Sequence, residues 1–241
     1  MPSICTCHSG PMRPNAGDPT SDDHADLSAR IDAASALNRL SHALVGHRAR
    51  LEALQRIASA ADDLAARIEQ EPLRERSMEI GASPRFLQAI VERRPLSGVV
   101  DGGAFLDMFE DSPVSGSANP LSIGLRIRQD GNEVVGVVTL DRGWEGAPGR
   151  SHGGIVASCV DETFGGLLPV IGEMAFTGEL SLRYEGPCPM GVPLEFRSWL
   201  ERREGRKLHL ACTGSADGGD VFVRATAVFV TVDLERFRAV G

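Results

Sequence analysis

The order of strand-like and helix-like segments restricts the fold of this chain more than any other feature. Two short segments with β patterning, 123–128 and 133–140, precede one apolar helix-like run at 153–168. Four more strand-like segments follow in series, separated by turn residues: 176–184, 194–202, 206–213 and 221–230. A single helix among consecutive strands predicts an antiparallel sheet around that helix, because parallel strands need a long crossover connection between them. A doubly wound α/β fold is therefore not expected.

The N-terminal part has a different pattern. Residues 1–25 are polar and rich in Pro and Gly, which predicts a disordered tail. From residue 26 to 70, apolar residues recur at alternating steps of three and four, which predicts helices. Gly46 is a natural break between two helices and Pro72 a natural end. We interpret this segment as a helical extension packed on the main domain; a dimerising coiled coil is the alternative.

The chain is accordingly divided into three parts. Residues 1–25 form the tail, residues 26–100 the helical extension, and residues 101–241 the main domain. A short further helix is predicted at 85–92 within the extension.

Charge and composition exclude several classes of protein. The formal net charge of −8 disfavours a nucleic-acid partner, because phosphate backbones bind basic surfaces. No apolar run approaches the roughly 18 residues of a membrane span, and no apolar signal segment stands near the start. Five cysteines favour reduced thiols over a disulfide scaffold. We therefore expect a cytoplasmic protein without a membrane span, and no metal site, since Cys5, Cys7 and His8 lack a second pair of ligands.

The start of the helix-like run is the most informative local sequence. Gly153 and Gly154 leave backbone N–H groups open to close approach, at a helix end that favours negative charge. Such an arrangement can act as an oxyanion hole in acyl transfer. His152 before them is either a general base or a residue that closes the helix start, and Thr177 opens a strand, where a β-branched residue is common.

Asp161 is the candidate acid–base residue on the same helix. It projects onto a stripe of small residues with Val160 and Phe164 beside it. A carboxyl group among apolar neighbours is better suited to proton transfer than a solvated one. The pattern alone leaves this role and that of a surface carboxylate equally open. The neighbouring Glu162 is interpreted as facing solvent.

A competing motif makes Ser151 a nucleophile. Gly149-Arg-Ser-His-Gly153 matches G-x-S-x-G, the nucleophile elbow of α/β-hydrolases. That elbow follows a buried strand, and residues 144–148, Trp-Glu-Gly-Ala-Pro, do not form one. A serine hydrolase is thus the weaker interpretation.

Several motifs between residues 112 and 232 occur together as in one known family. They are Ser112-Pro-Val-Ser-Gly116 with Asn119-Pro120, Glu145-Gly-Ala-Pro-Gly149, His152-Gly-Gly154 followed by Asp161, Phe176-Thr-Gly178, Leu180-Ser-Leu-Arg-Tyr184, Pro187-Cys-Pro189 and Glu204-Gly-Arg206. The segment resembles the hotdog-fold acyl-CoA thioesterases of the phenylacetyl-CoA/4-hydroxybenzoyl-CoA thioesterase superfamily. The branch whose central helix begins with His-Gly-Gly fits best.

The resemblance implies an α+β hotdog fold, in which a curved antiparallel sheet wraps a long central helix. It also implies a homodimer or a dimer of dimers, with active sites at the interface. On this basis Asp161 is the general base or nucleophile and the Gly153 N–H is the oxyanion donor. His152 supports the carbonyl end, and Thr177 of the partner subunit holds the water or orients Asp161.

The implied substrate is an acyl-CoA, hydrolysed to a carboxylic acid and CoA without a cofactor. Gly154 and Glu145 are further candidate substrate contacts. Four basic residues are candidates for the CoA phosphates, with a solvated turn as the alternative: Arg202, Arg203, Arg206 and Lys207. Many relatives carry an Asn that positions the substrate six residues before the histidine, where this chain has Gly146. This departure favours, as a rival, a non-catalytic acyl-CoA-binding protein; a hotdog dehydratase fits less well.

Overall fold

The main domain is one antiparallel sheet packed on one helix. The computed structural model describes residues 21–74, 105–106, 109–216 and 219–232. The strands are β1 (Phe105–Leu106), β2 (Arg126–Asp130), β3 (Glu133–Thr139), β4 (Ala175–Tyr184), β5 (Pro193–Glu204), β6 (Lys207–Ala216) and β7 (Val221–Thr231). Their order in the sheet is β1-β2-β3-β5-β6-β7-β4, and every neighbouring pair is antiparallel. β4 therefore lies at one edge, paired only with β7 among the described strands.

The turns that join these strands follow the sequence signals. β2 and β3 are joined at Gly131, and β5 and β6 at Gly205; both glycines have positive φ, 62° and 56°. Tight hairpin turns of this kind need a left-handed residue, which glycine adopts at little cost. The predicted strand at 123–128 is wrong in its bounds. Gly124, with φ 83°, takes the chain out of strand geometry, and β2 begins only at Arg126.

The central helix α3 (Gly153–Ile171) follows a short 3-10 turn, Arg142–Trp144, and ends at Gly172 in the left-handed conformation. It packs on β3 and β5, in the middle of the sheet. Gly136 of β3 allows the close approach, because a Cβ there would lie 2.6 Å from the Thr163 Oγ1 of α3. Among the described helices, α3 has the length and apolar content of a membrane span, and half of that stretch is buried inside the domain.

Two helices form the described part of the extension: α1 (Ser21–Gly46) and α2 (Leu51–Ile68). The predicted break after Gly46 is observed, and α1 starts earlier than residue 26. The predicted helix at 85–92 and most of the predicted tail lie outside the described residues. The division of the chain into three parts stays a prediction.

α1 packs on the main domain as predicted. The Asn38 amide donates to the Pro120 and Ser122 carbonyls, both at 3.0 Å, and the His42 ring lies edge-on to Trp144. The Arg30 guanidinium donates to Asp111. α2 differs, since none of its 18 described residues is buried.

Candidate active site

A short loop, whose two sides are joined by backbone hydrogen bonds, leads into α3. The His152 N–H donates to the Trp144 carbonyl at 2.9 Å, and the Gly146 N–H donates to the Arg150 carbonyl at 3.0 Å. The Ser151 N–H donates to the Cys188 carbonyl at 3.0 Å. These backbone bonds fix the direction in which the helix begins.

His152 is the N-cap of α3. Its backbone is extended, with φ −66° and ψ 133°, and its Nδ1 accepts from the Gly154 N–H at 3.0 Å. A cap of this kind satisfies one of the four N–H groups that a helix start leaves open. The Gly153 N–H donates to no acceptor among the described residues. The Gly154 N–H is therefore used by the His152 side chain, and the Gly153 N–H is the one free to donate to a ligand.

Gly153 lines a cavity of about 400 Å³ together with Val156, Tyr184 and the segment from Glu185 to Cys188. The Tyr184 hydroxyl donates to the Gly153 carbonyl at 2.7 Å. Partial burial raises the pKa of Tyr184, so the phenol stays a donor. A Cβ at residue 153 would lie 3.3 Å from the Tyr184 oxygen. Sequence reasoning missed this contact; the one signal was that the chain contains a single tyrosine, inside a recognised motif.

Asp161 and Thr177 form the second part of the site. The Thr177 hydroxyl donates to Asp161 Oδ1 at 3.0 Å, and Asp161 is half-buried. Both residues belong to one chain, so the expectation that Thr177 comes from a partner subunit is not what the structure shows. The reason is topological: β4 runs back along α3, which brings Thr177 to Asp161 and Tyr184 to Gly153.

The interpretation of Glu162 as a solvent-facing residue is wrong. Its carboxylate is half-buried and accepts hydrogen bonds from Ser112 Oγ, at 2.6 Å, and from Ser115 Oγ. The loop that carries these serines folds across α3. Both serines donate to Glu162 Oε1, so Glu162 anchors the loop, whereas the one described hydrogen bond to Asp161 comes from Thr177 of β4.

The loop before α3 explains the departure at Gly146. A Cβ at this position would lie 2.8 Å from His152 Cα, so an asparagine does not fit without moving the helix start. Glu145, a predicted substrate contact, accepts instead from the Gly149 N–H at 2.6 Å. Its observed role is to hold the loop closed.

The predicted basic cluster lies away from the helix start. Arg203 pairs with Glu173, just beyond the C-terminus of α3, and Arg206 donates twice to the Thr231 carbonyl, at 3.1 and 2.8 Å. At 1.5 Å per residue, Glu173 and Gly153 are roughly 30 Å apart along the helix direction. Arg202 and Lys207 are exposed. Within one chain the structure does not bring the basic cluster to Gly153.

Ser151 does not have the surroundings of a nucleophile. Its side chain is 7% exposed and its hydroxyl donates to Met190 Sδ at 3.0 Å. No histidine or carboxylate among the described residues contacts that hydroxyl. Within the described part of the chain, no group of three potential metal ligands occurs either.

Comparisons with known proteins agree with the motifs. No family model matches the chain. Acyl-coenzyme A thioesterase THEM4 of Mus musculus is 37% identical over 93 residues, 38% of this chain and 40% of the relative. Acyl-coenzyme A thioesterase THEM5 of Mus musculus is 34% identical over 92 residues, 38% of this chain and 37% of the relative. The match thus spans about two fifths of the length of these relatives.

One solved structure extends the likeness to most of the chain. A crystal structure described as a thioesterase superfamily protein is 26% identical, covers 84% of this chain and 95% of its own, and has a TM-score of 0.65. The assignment to the His-Gly-Gly branch stays a prediction. The resemblance to the thioesterase superfamily is confirmed, and the main domain of this chain has that superfamily's hotdog fold.

Proposed function

We propose that this protein hydrolyses an acyl-CoA thioester to a free acid and CoA. Asp161 is the general base or nucleophile, and the Gly153 N–H stabilises the oxyanion. The observation that carries the proposal is that α3 bears both groups the reaction needs. Its first residue, Gly153, has a free N–H, and its Asp161 carboxylate is oriented by Thr177 of β4. The names of the curated relatives support the reaction class.

The spacing of these two groups implies a site shared between two subunits. A reacting carbonyl must lie about 3 Å from the oxyanion donor and from the nucleophile, which here is Asp161 itself or a water that Asp161 activates. Gly153 and Asp161 are eight residues apart, about 12 Å along one helix. We therefore propose a homodimer in which Gly153 of one protomer acts with Asp161 of the partner subunit.

β4 offers the surface for such a dimer. It is an edge strand, and seven of its ten residues are exposed. Edge strands present unpaired N–H and C=O groups that readily pair with another chain. A dimer that extends the sheet here, or a dimer of such dimers, would bring two α3 helices together.

The cofactor, the cellular location and the CoA-binding residues are proposed on the basis of the sequence expectations. No cofactor is proposed beyond the CoA portion of the substrate, and the location proposed is the cytoplasm. Gly154 supports the helix start through His152 in this proposal. All four members of the basic cluster are exposed, but Arg203 and Arg206 already bind Glu173 and Thr231. Arg202 and Lys207 are therefore the members proposed for the CoA phosphates.

Thiol release from a panel of acyl-CoAs tests the proposal. Asp161→Asn keeps the size and the Thr177 contact but removes the base, and we expect kcat to fall about 100-fold or more. Asp220→Asn, an exposed carboxylate outside the site, is the matched control and should keep full activity. Parental turnover in Asp161→Asn would overturn the assignment.

A second candidate is a non-catalytic acyl-CoA-binding protein. The observation that favours it is the contact of Gly146 with His152, which leaves no room for the asparagine that positions substrate in many relatives. Tight acyl-CoA binding by calorimetry, without thiol release for any acyl group, would support this candidate. Measurable turnover would exclude it.

A further inference from the structure

The apolar face of α2 is left uncovered by the described part of the chain. Six residues repeat at steps of three and four along one side of the helix: Leu51, Leu54, Ala58, Ala61, Ala65 and Ile68. Leu51 and Ile68 are 69% and 71% exposed, and the neighbouring Leu64 is 56% exposed. A stripe with this period packs against another element, either the core of a domain or a second helix.

The largest side chains of this stripe stand at its two ends. Leu51 and Leu54 stand at one end and Ile68 at the other, although Ala65, which mirrors Leu54, is small. The middle carries Ala58 and Ala61, whose small side chains allow two helix axes to approach closely. When the helix meets a reversed copy of itself, Leu51 lies against Ile68 of the partner subunit, and the alanines meet at the centre.

The two ends of α2 carry charges of opposite sign, which favours an antiparallel over a parallel pair. Arg48 and Arg50 flank the N-terminal end, and Glu69 and Glu71 flank the C-terminal end. All four are exposed, and none has an ion-pair partner among the described residues. Glu52 in the first turn and Arg67 in the last turn offset part of each charge, so the two ends keep opposite net signs with a smaller difference. An antiparallel pair places each arginine end beside a glutamate end, whereas a parallel pair would place like charges together.

We propose that α2 is a self-association surface that binds α2 of a second copy of this chain in antiparallel orientation. The apolar periodicity, the large residues at the two ends and the charges of the ends agree on one register, centred between Ser59 and Ala60. The pairing buries a stripe that α1 and the sheet leave exposed. Because two short helices bury little area alone, it adds to the contact of the main domains.

Hydrogen exchange of the α2 amides in the full-length protein gives a local readout of this pairing, measured apart from the contact between the main domains. Without a partner, α2 should exchange rapidly, because no tertiary contact protects it. We expect protection in the associated protein and its loss at dilutions where sedimentation detects only monomer. The double variant Leu51→Glu/Ile68→Glu should lower that protection about tenfold or more, and Arg56→Glu, on the outer side of the helix, should not.

A charge swap distinguishes this pairing from any other occupant of the face. Glu69→Arg/Glu71→Arg places four positive charges at each end of the pair and should lower α2 protection. Adding Arg48→Glu/Arg50→Glu to the same chain reverses both ends and should restore it. Protection that persists at dilutions where sedimentation detects only monomer would indicate coverage by the same chain, such as residues 75–104, and would overturn the proposal. Loss without restoration in the four-fold variant would overturn it too.

Discussion

α2 and α3 are helices of almost equal length, 18 and 19 residues, with opposite surroundings. α3 lies on the sheet and buries nine residues, whereas none of the described residues of α2 is buried. Both helices repeat apolar residues with a helical period, so the period alone does not separate them. The difference lies in what the chain supplies opposite each helix: β3 and β5 cover α3, whereas no described element buries a residue of α2.

The same substitution in the two helices should have the most unequal effect. Leu167→Ala removes a side chain that is fully buried, and we expect it to lower the free energy of unfolding by about 2–5 kcal/mol. Leu64→Ala removes an exposed leucine of α2 and should cost about 0.5 kcal/mol or less. Denaturant unfolding of both variants measures the contrast. Equal costs would show that the two environments are alike after all.

The start of α3 can be tested by removing only its free amide. Gly153→Pro deletes the N–H at the first helical position, where proline is tolerated, and the extended His152 backbone suits a following proline. We expect kcat to fall about 100- to 1,000-fold. Gly153→Ala adds the same Cβ beside Tyr184 but keeps the N–H, and it should keep most activity. A Gly153→Pro protein with parental kcat would exclude Gly153 as oxyanion donor.

A single methyl group can sharpen the contrast between a packed and an exposed helix. Gly166→Ala in α3 would place a Cβ 2.8 Å from the Ile127 side chain, and we expect a loss of about 1–3 kcal/mol through overpacking. In α2, Ala60→Gly should cost about 1 kcal/mol of helix stability and leave the main domain unchanged. Calorimetric melting of the main domain distinguishes the two. A neutral Gly166→Ala would mean that α3 packs more loosely than the structure has it.

The smallest expected effect concerns the tyrosine that holds the helix start. Tyr184→Phe removes one hydrogen bond to the Gly153 carbonyl and keeps the ring in place. Loss of one such bond is worth about 1 kcal/mol, so we expect kcat/KM to fall about fivefold. An unchanged kcat/KM would show that the Tyr184 hydroxyl does not contribute to catalysis and that Tyr184 acts only through packing.

The sequence predicted α3 and its surrounding strands because local signals agreed with the tertiary structure there. The hairpin turns at Gly131 and Gly205 and the His-Gly-Gly helix start are each readable from neighbouring residues. The bounds of β2 were missed because Gly124 ends a pattern that looks like a continuous strand.

Contacts between distant segments were not readable in the same way. Glu162 faces a serine-bearing loop about fifty residues earlier in the chain, and the Tyr184 hydroxyl reaches a carbonyl 31 residues away. The basic residues around Arg203 look like a phosphate site in sequence, yet one of them is tied to Glu173 and another to Thr231. Periodicity fixes which face of an element is apolar, but only the packed chain decides what that face meets.

Mixing two inactive variants tests the shared site most directly. Gly153→Pro lacks the oxyanion donor and Asp161→Asn lacks the base, so each homodimer should be nearly inactive. If Gly153 of one protomer acts with Asp161 of the partner subunit, a mixed dimer contains one intact site. Subunit exchange between equal amounts should then restore about a quarter of the parental thiol release. If activity stays at the level of the separate variants after exchange is verified by mass, the two groups do not act across the dimer and the account is contradicted.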